Sequence, residues 1–191
     1  MPPKAKISKE MIVAAGLELV RSEGADALSV RAVAARLGCS TQPVMYHYDT
    51  VSSLRADIYA AADELHTHYI TQPGENGKYP MHSIGLRYIR FADEEKNLFR
   101  FLFQSGYFNS KSIRELLEAD ELEPVIRALC AQTGLAADQA REVFGTLFIC
   151  VHGAASLLAN NSMEFDEAYF SRLLENTLTG AVGALKREEM K

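Results

Sequence analysis

Apolar residues recur every three or four positions along most of this chain, and strand-like alternation is absent. Ile12, Ala15, Gly16 and Leu19 form one stripe at helical spacing. They predict a helix over residues 9–22, opened by Ser8 as N-cap and closed at Gly24. A second stripe, Val30, Val33, Ala34 and Leu37, predicts a helix over 30–37 that Ser29 caps. Gly38 stops it where a left-handed residue is needed. Ser40 then precedes a short helix over 41–47, and a long one follows over 51–70. Residues 72–78 are polar and Gly-rich and read as a surface loop. Further helices are expected at 80–96, 97–106, 110–132, 138–159 and 165–187, with breaks at Gly134 and at Asn160-Asn161. That makes an all-α protein of about nine helices.

Composition narrows the class. With 48% hydrophobic and 24% charged residues the chain can bury a core and is not a disordered segment. The basic start, Met1 to Lys6, leads into a polar helix, unlike a secretory signal. Residues 143–159 are the most apolar stretch. It is short for a bilayer span and carries Thr146, His152 and Ser156, so it reads as a buried helix and no membrane partner is expected. Cys39, Cys130 and Cys150 are odd in number and far apart. They suggest a reducing cytoplasm and not a disulfide framework. His66 and His68 diverge at i, i+2, and His47 and His152 stand alone, so no metal is expected. Nor does a nucleophile elbow, phosphate loop or dinucleotide fingerprint occur, and the chain is read as having no catalytic residues and no cofactor.

Charge is distributed unevenly. Up to Arg55 there are seven basic residues against five acidic ones, or +2; the remainder holds 13 against 20, or −7, giving the net −5. A positive head on an acidic body can still bind DNA, because phosphate attraction is screened within about 10 Å.

Two short helices about a tight Gly-containing turn are the geometry that sets a second helix in a major groove. Here the supporting helix is 30–37, the turn is Gly38-Cys39 and the reading helix is 41–47. The expected layout is an N-terminal helix-turn-helix domain of three helices over residues 1–55, with the motif at 29–48. A larger C-terminal helical bundle is expected over 56–191, the boundary falling within the helix over 51–70.

The run Ser29-Val30-Arg31-Ala32-Val33-Ala34-Ala35-Arg36-Leu37-Gly38-Cys39-Ser40-Thr41-Gln42-Pro43-Val44-Met45-Tyr46-His47-Tyr48 resembles the signature of TetR-type regulators. That signature has a Ser/Thr cap, an alanine-rich helix ending in Gly-Val/Cys-Ser, and a short helix closing on a Tyr-x-His-Phe-like run. The His152-Gly153-Ala154-Ala155-Ser156-Leu157 run is similar to an element of one TetR subgroup. The resemblance implies a homodimeric, cytoplasmic transcriptional repressor that is released from double-stranded operator DNA by a small-molecule effector. Two positions depart from the pattern: Met45 replaces a usual Tyr, and Val51 replaces a frequent Lys. Both changes remove a phosphate contact, and they favour the competing reading of a helical ligand-binding or adaptor protein that has lost DNA binding.

Within that frame Ser40 caps the reading helix. Pro43 lacks an N–H, so the cap bond is expected on the Gln42 N–H. Thr41, Gln42 and Pro43 face base edges: Gln pairs with adenine, and Thr or Pro packs on a thymine methyl. Tyr46 and His47 meet phosphates, as do Ser29, Arg31 and the helix start at Ser52 and Ser53. Val44 and Met45 are assigned to the core, and the tail with Lys4 and Lys6 supplies further positive charge.

In the body, Phe144, Leu147, Val151 and Ala155 of one helix and Phe170, Leu174, Leu178 and Ala181 of the next are assigned to a four-helix dimer interface. An effector site is assigned to Tyr88, Phe99, Leu102, Phe103, Tyr107, Phe148 and His152, apolar walls with a few polar handles. The same aromatics would equally serve as ordinary core.

Overall fold

The structure is a computed structural model that describes residues 7–72, 80–106 and 112–189. Among these residues lie ten α-helices and no strand. They are α1 (Lys9–Glu23), α2 (Val30–Arg36), α3 (Thr41–His47), α4 (Val51–Thr71), α5 (Pro80–Glu94), α6 (Lys96–Phe103), α7 (Ile113–Leu117), α8 (Glu123–Thr133), α9 (Ala137–Asn160) and α10 (Glu167–Glu189). One-turn 3₁₀ helices cover Ala25–Ala27 and Asp120–Leu122. Residues 73–78 of the expected loop, the basic tail and Tyr107 lie outside the described residues.

Two compact units divide the chain: Met1–Thr67 with Glu95–Phe108, and His68–Glu94 with Asn109–Lys191. The division falls inside α4 but later than residue 55, and the first unit also takes in α6. Polar contacts explain this. Arg21 Nε donates to Glu95 Oε2 at 2.9 Å, Asn97 Nδ2 to the Arg21 carbonyl at 3.0 Å, and the Tyr59 hydroxyl to the Leu102 carbonyl at 3.0 Å. A linear domain boundary read from sequence has no access to such a return of the chain.

The first unit is built on local rules. Ser8 Oγ caps α1 by accepting from the Met11 N–H at 3.3 Å, and Ser29 Oγ caps α2 from the Ala32 N–H at 3.1 Å. Ile12, Leu19, Val20, Val33, Val44, Leu54 and Ile58 fill the core. Gly16 is needed for closeness and not for its dihedral freedom. A Cβ there would stand 2.2 Å from Ile58 Cδ1, so α1 and α4 touch at that point through glycine alone.

In the second unit α9 packs on α5, α8 and α10. The helix expected over 110–132 is two helices. Ser112 Oγ caps the first from the Glu115 N–H at 3.1 Å, and Pro124 stands in the first turn of the second. Proline is tolerated there and not in a helix interior, so it marks a start. Met81, Ile126, Leu129, Leu135, Ala140, Val143 and Leu147 form one buried cluster. By length and composition α9 is long and apolar enough to cross a bilayer, yet Val143, Val151, Ala155 and Leu158 on it are buried within the chain.

The assigned dimer residues take part in this packing. Leu147, Val151, Ala155, Phe170 and Leu174 are buried inside one chain, and Phe144, Leu178 and Ala181 pack against the same core. The five buried side chains have little surface left for a partner, whereas Phe144, Leu178 and Ala181 keep part of theirs exposed.

Candidate nucleic-acid interface and effector site

The turn between α2 and α3 closes as a Schellman motif. The Cys39 N–H donates to the Ala34 carbonyl and the Gly38 N–H to the Ala35 carbonyl, both at 3.0 Å, with Gly38 at φ +65°. A side chain at that φ would be strained, so the glycine fixes the angle at which α3 leaves. Leu37, expected as the last helical residue, is the C-cap instead.

Helix α3 sorts its residues by exposure. Val44 is fully buried and Tyr48, just past the helix end, is 4% exposed; Gln42 faces solvent, Met45 is 59% exposed and Tyr46 80%. Thr41 and Pro43 are half-buried. The assignment of Met45 to the core is therefore wrong: Val44 alone fills that seat. Ser40 has the extended backbone of an N-cap, but its hydroxyl makes no capping bond. The donor a cap oxygen usually takes is the third N–H of the helix, and there the residue is Pro43. Ser40 is exposed, so its hydroxyl faces outward for other partners.

Other expected contacts are placed as follows. The His47 ring nitrogen Nε2 lies 3.2 Å from the Ile7 carbonyl, holding the chain entering α1 against the end of α3. Its ring meets that of Tyr46 edge-on at 5.2 Å. Arg31 and Ser52 are exposed. The Ser53 N–H, by contrast, is taken by Thr50 Oγ1 at 3.1 Å, so it is no open phosphate donor. Most of the positive head is internally committed. Lys9 pairs with Asp57, Arg21 with Glu18 and Glu95, Arg36 with Glu23, and Arg55 donates to the Ala25 carbonyl. The sequence count of seven basic residues thus overstates the charge offered to a partner.

The described residues assigned to an effector site fall in both units. Phe99 and Leu102 have no exposed surface and are core of the first unit. The Phe103 ring lies tilted against Phe99 at 5.0 Å and meets the buried His66 ring edge-on at 5.2 Å. Burial holds His66 down to about pKa 4, so this ring is neutral and part of the packing. Tyr88, Phe148 and His152 belong to the second unit and do cluster. The Tyr88 hydroxyl lies 2.9 Å from His152 Nδ1. The rings of Phe144, Phe148 and His152, one turn apart on α9, run near-parallel at 6.3 and 5.5 Å. Burial lowers the pKa of His152. Which of the two groups donates in the contact between Tyr88 and His152 follows the imidazole tautomer. The arrangement offers flat apolar faces beside one oriented imidazole. Cys150 Sγ, 3.6 Å from Thr177 Oγ1, makes a contact between α9 and α10.

No family model matches the sequence, and no curated protein is found similar to it. Among solved structures, the chain is similar to a single-substitution variant of TetR from Acinetobacter baumannii AYE, crystallised in complex with minocycline. The two share 23% identity with a TM-score of 0.62, over 92% of this chain and 96% of that one. The chain therefore has a TetR-like all-α fold over nearly its whole length.

Proposed function

We propose that this protein is a DNA-binding transcriptional repressor that a small-molecule effector releases from its operator. The observation that carries the reading is the outward face of α3. Gln42, Met45 and Tyr46 are exposed on a helix held by a glycine turn, with Val44 and Tyr48 anchoring its other side. A short helix presented in that way is what a major groove accepts. Gln42 reads a base edge, with Thr41 and Pro43 beside it; Tyr46, Arg31, Ser29, Ser40 and Ser52 position the backbone. His47 supports the helix through the Ile7 carbonyl. Gel-shift titration with the DNA flanking the protein's own gene tests this, and absence of any retarded complex at micromolar protein counts against it. A helical adaptor that no longer binds DNA is the competing reading, favoured by the exposed, donorless Met45 and Val51.

The protein acts as a homodimer in the cytoplasm. Its partner-facing surface is the outer side of α9 and α10, where Ile149, Gly153 and Leu157 recur at helical spacing and Gly180 lies exposed on the neighbouring helix. A Cβ on either Gly153 or Gly180 would meet nothing within 4 Å, so a second copy can approach closely there.

The effector site is centred on Tyr88, Phe148 and His152. Minocycline, present in the similar TetR structure, is the first probe for it. A thermal shift that persists in His152→Ala would remove this site assignment.

A further inference from the structure

The exposed apolar side chain of Met45 stands out on α3. Single exposed hydrophobics are common on protein surfaces and need no explanation. This one sits on the outward face of the helix, one turn after Gln42 and beside Tyr46, and 59% of it is exposed. Three residues of helix advance about 4.5 Å, close to the roughly 3.4 Å step of a base pair. Gln42 and Met45 thus span neighbouring base pairs when α3 lies in a groove. A thioether donates no hydrogen bond and accepts only weakly, so it has little to offer a phosphate. It is unbranched and polarisable, and adapts its shape to an apolar target. The apolar group on a base edge in the major groove is the C5-methyl of thymine.

We infer that Met45 is a specificity-determining residue that packs on the C5-methyl of a thymine, at the base pair next to the one Gln42 contacts. The inference rests on α3 being the reading helix of the proposed repressor. On this account the loss of a phosphate contact at position 45 is exchanged for sequence discrimination, and the half-site holds adjacent A·T pairs.

The methyl can be tested atom for atom. An operator is first selected from random duplexes with wild-type protein. Each thymine is then replaced singly by deoxyuridine, which removes only the C5-methyl. One thymine per half-site should weaken wild-type binding by about fourfold, the worth of one buried methyl group. The same substitution should change binding by Met45→Ala by less than about 1.5-fold, while Met45→Leu, which keeps an apolar tip, should retain the effect. Met45 is exposed, so neither variant threatens the fold. A 5-methylcytosine–guanine pair at that position, which carries the same methyl on a different base, should bind wild type better than the unmethylated pair yet worse than the thymine original. A 5-methylcytosine pair that outbinds thymine would assign the contact to methylated cytosine and overturn the inference as stated. So would an operator in which no methyl effect depends on residue 45, which leaves DNA binding itself intact. Failure to select any sequence would instead remove the repressor reading and this inference together.

Discussion

The phenol of Tyr48 donates to Oδ2 of Asp57 at 2.8 Å, and Lys9 Nζ approaches the same oxygen at 2.7 Å. Lys9 also lies 5.5 Å above the Tyr48 ring. One carboxylate on α4 thereby ties the end of the reading helix to the start of α1. Burial, and then the bond to Asp57, raises the Tyr48 pKa; the bonds from Lys9 and then Tyr48 lower that of Asp57. Tyr48→Phe should cost about 1 kcal/mol of stability by chemical denaturation, the usual net worth of such a bond. Lys9→Met should cost less than about 0.5 kcal/mol, because both partners are more than a third exposed and the pair is screened. If both substitutions leave stability unchanged, the carboxylate is not a junction.

His66 supplies a pH dependence. Its folded-state pKa is about 4 against 6.5 for the ordinary group. A depressed pKa means that the unfolded chain takes up a proton that the folded chain refuses. The stability is fully present above pH 6.5 and is lost as pH falls toward 4. At pH 5 the loss from this group is about 2 kcal/mol relative to neutral pH. Denaturant unfolding of wild type and His66→Phe at pH 7 and pH 5 isolates it. The variant should lose less stability than wild type between the two values; equal losses would show that His66 titrates normally.

Salt should act mainly through few side chains. Lys9, Arg21, Arg36 and Arg55 each have an internal partner, and Arg31 is exposed on α2. Arg31→Ala should therefore make the slope of log K against log salt shallower by about 0.9 per protomer, and weaken all DNA sequences alike. A change in sequence preference instead would make Arg31 a base reader.

The dimer surface separates two leucines. Leu157 is 53% exposed on the outer side of α9, whereas Leu174 is 3% exposed within the chain. Leu157→Glu should give a folded monomer of 21.1 kDa by light scattering, where wild type gives twice that mass. Leu174→Glu should unfold the second unit, since a charge cannot be left unpaired in a core. A Leu157→Glu protein that still dimerises would place the interface elsewhere.

Much of the fold was legible because its determinants are local. Helical stripes, the caps at Ser8 and Ser29, and the glycine at 38 each act within one turn, and each appears where the pattern put it. The misreadings have non-local or competing causes. The Ser40 cap expected on the Gln42 N–H does not form, and Pro124 opens a second helix within the span 110–132 read as one. Val44 and Met45 are adjacent apolar residues, and only packing decides which one points inward. The packing of α5 and α8 on α9, and of α5 on α10, is invisible in sequence, so the share of those apolar faces used within one chain is not legible there. Phe99 and Leu102, assigned to an effector site, fill a core that forms only when the chain returns to the first unit.

Selection from a randomised duplex library tests the central claim most directly, with wild type and Gln42→Ala run side by side. The account predicts a two-fold symmetric consensus for wild type, with the variant losing preference at one base pair in each half-site and keeping the rest. No consensus for wild type, or an identical consensus for both proteins, would contradict α3 as the element that reads DNA.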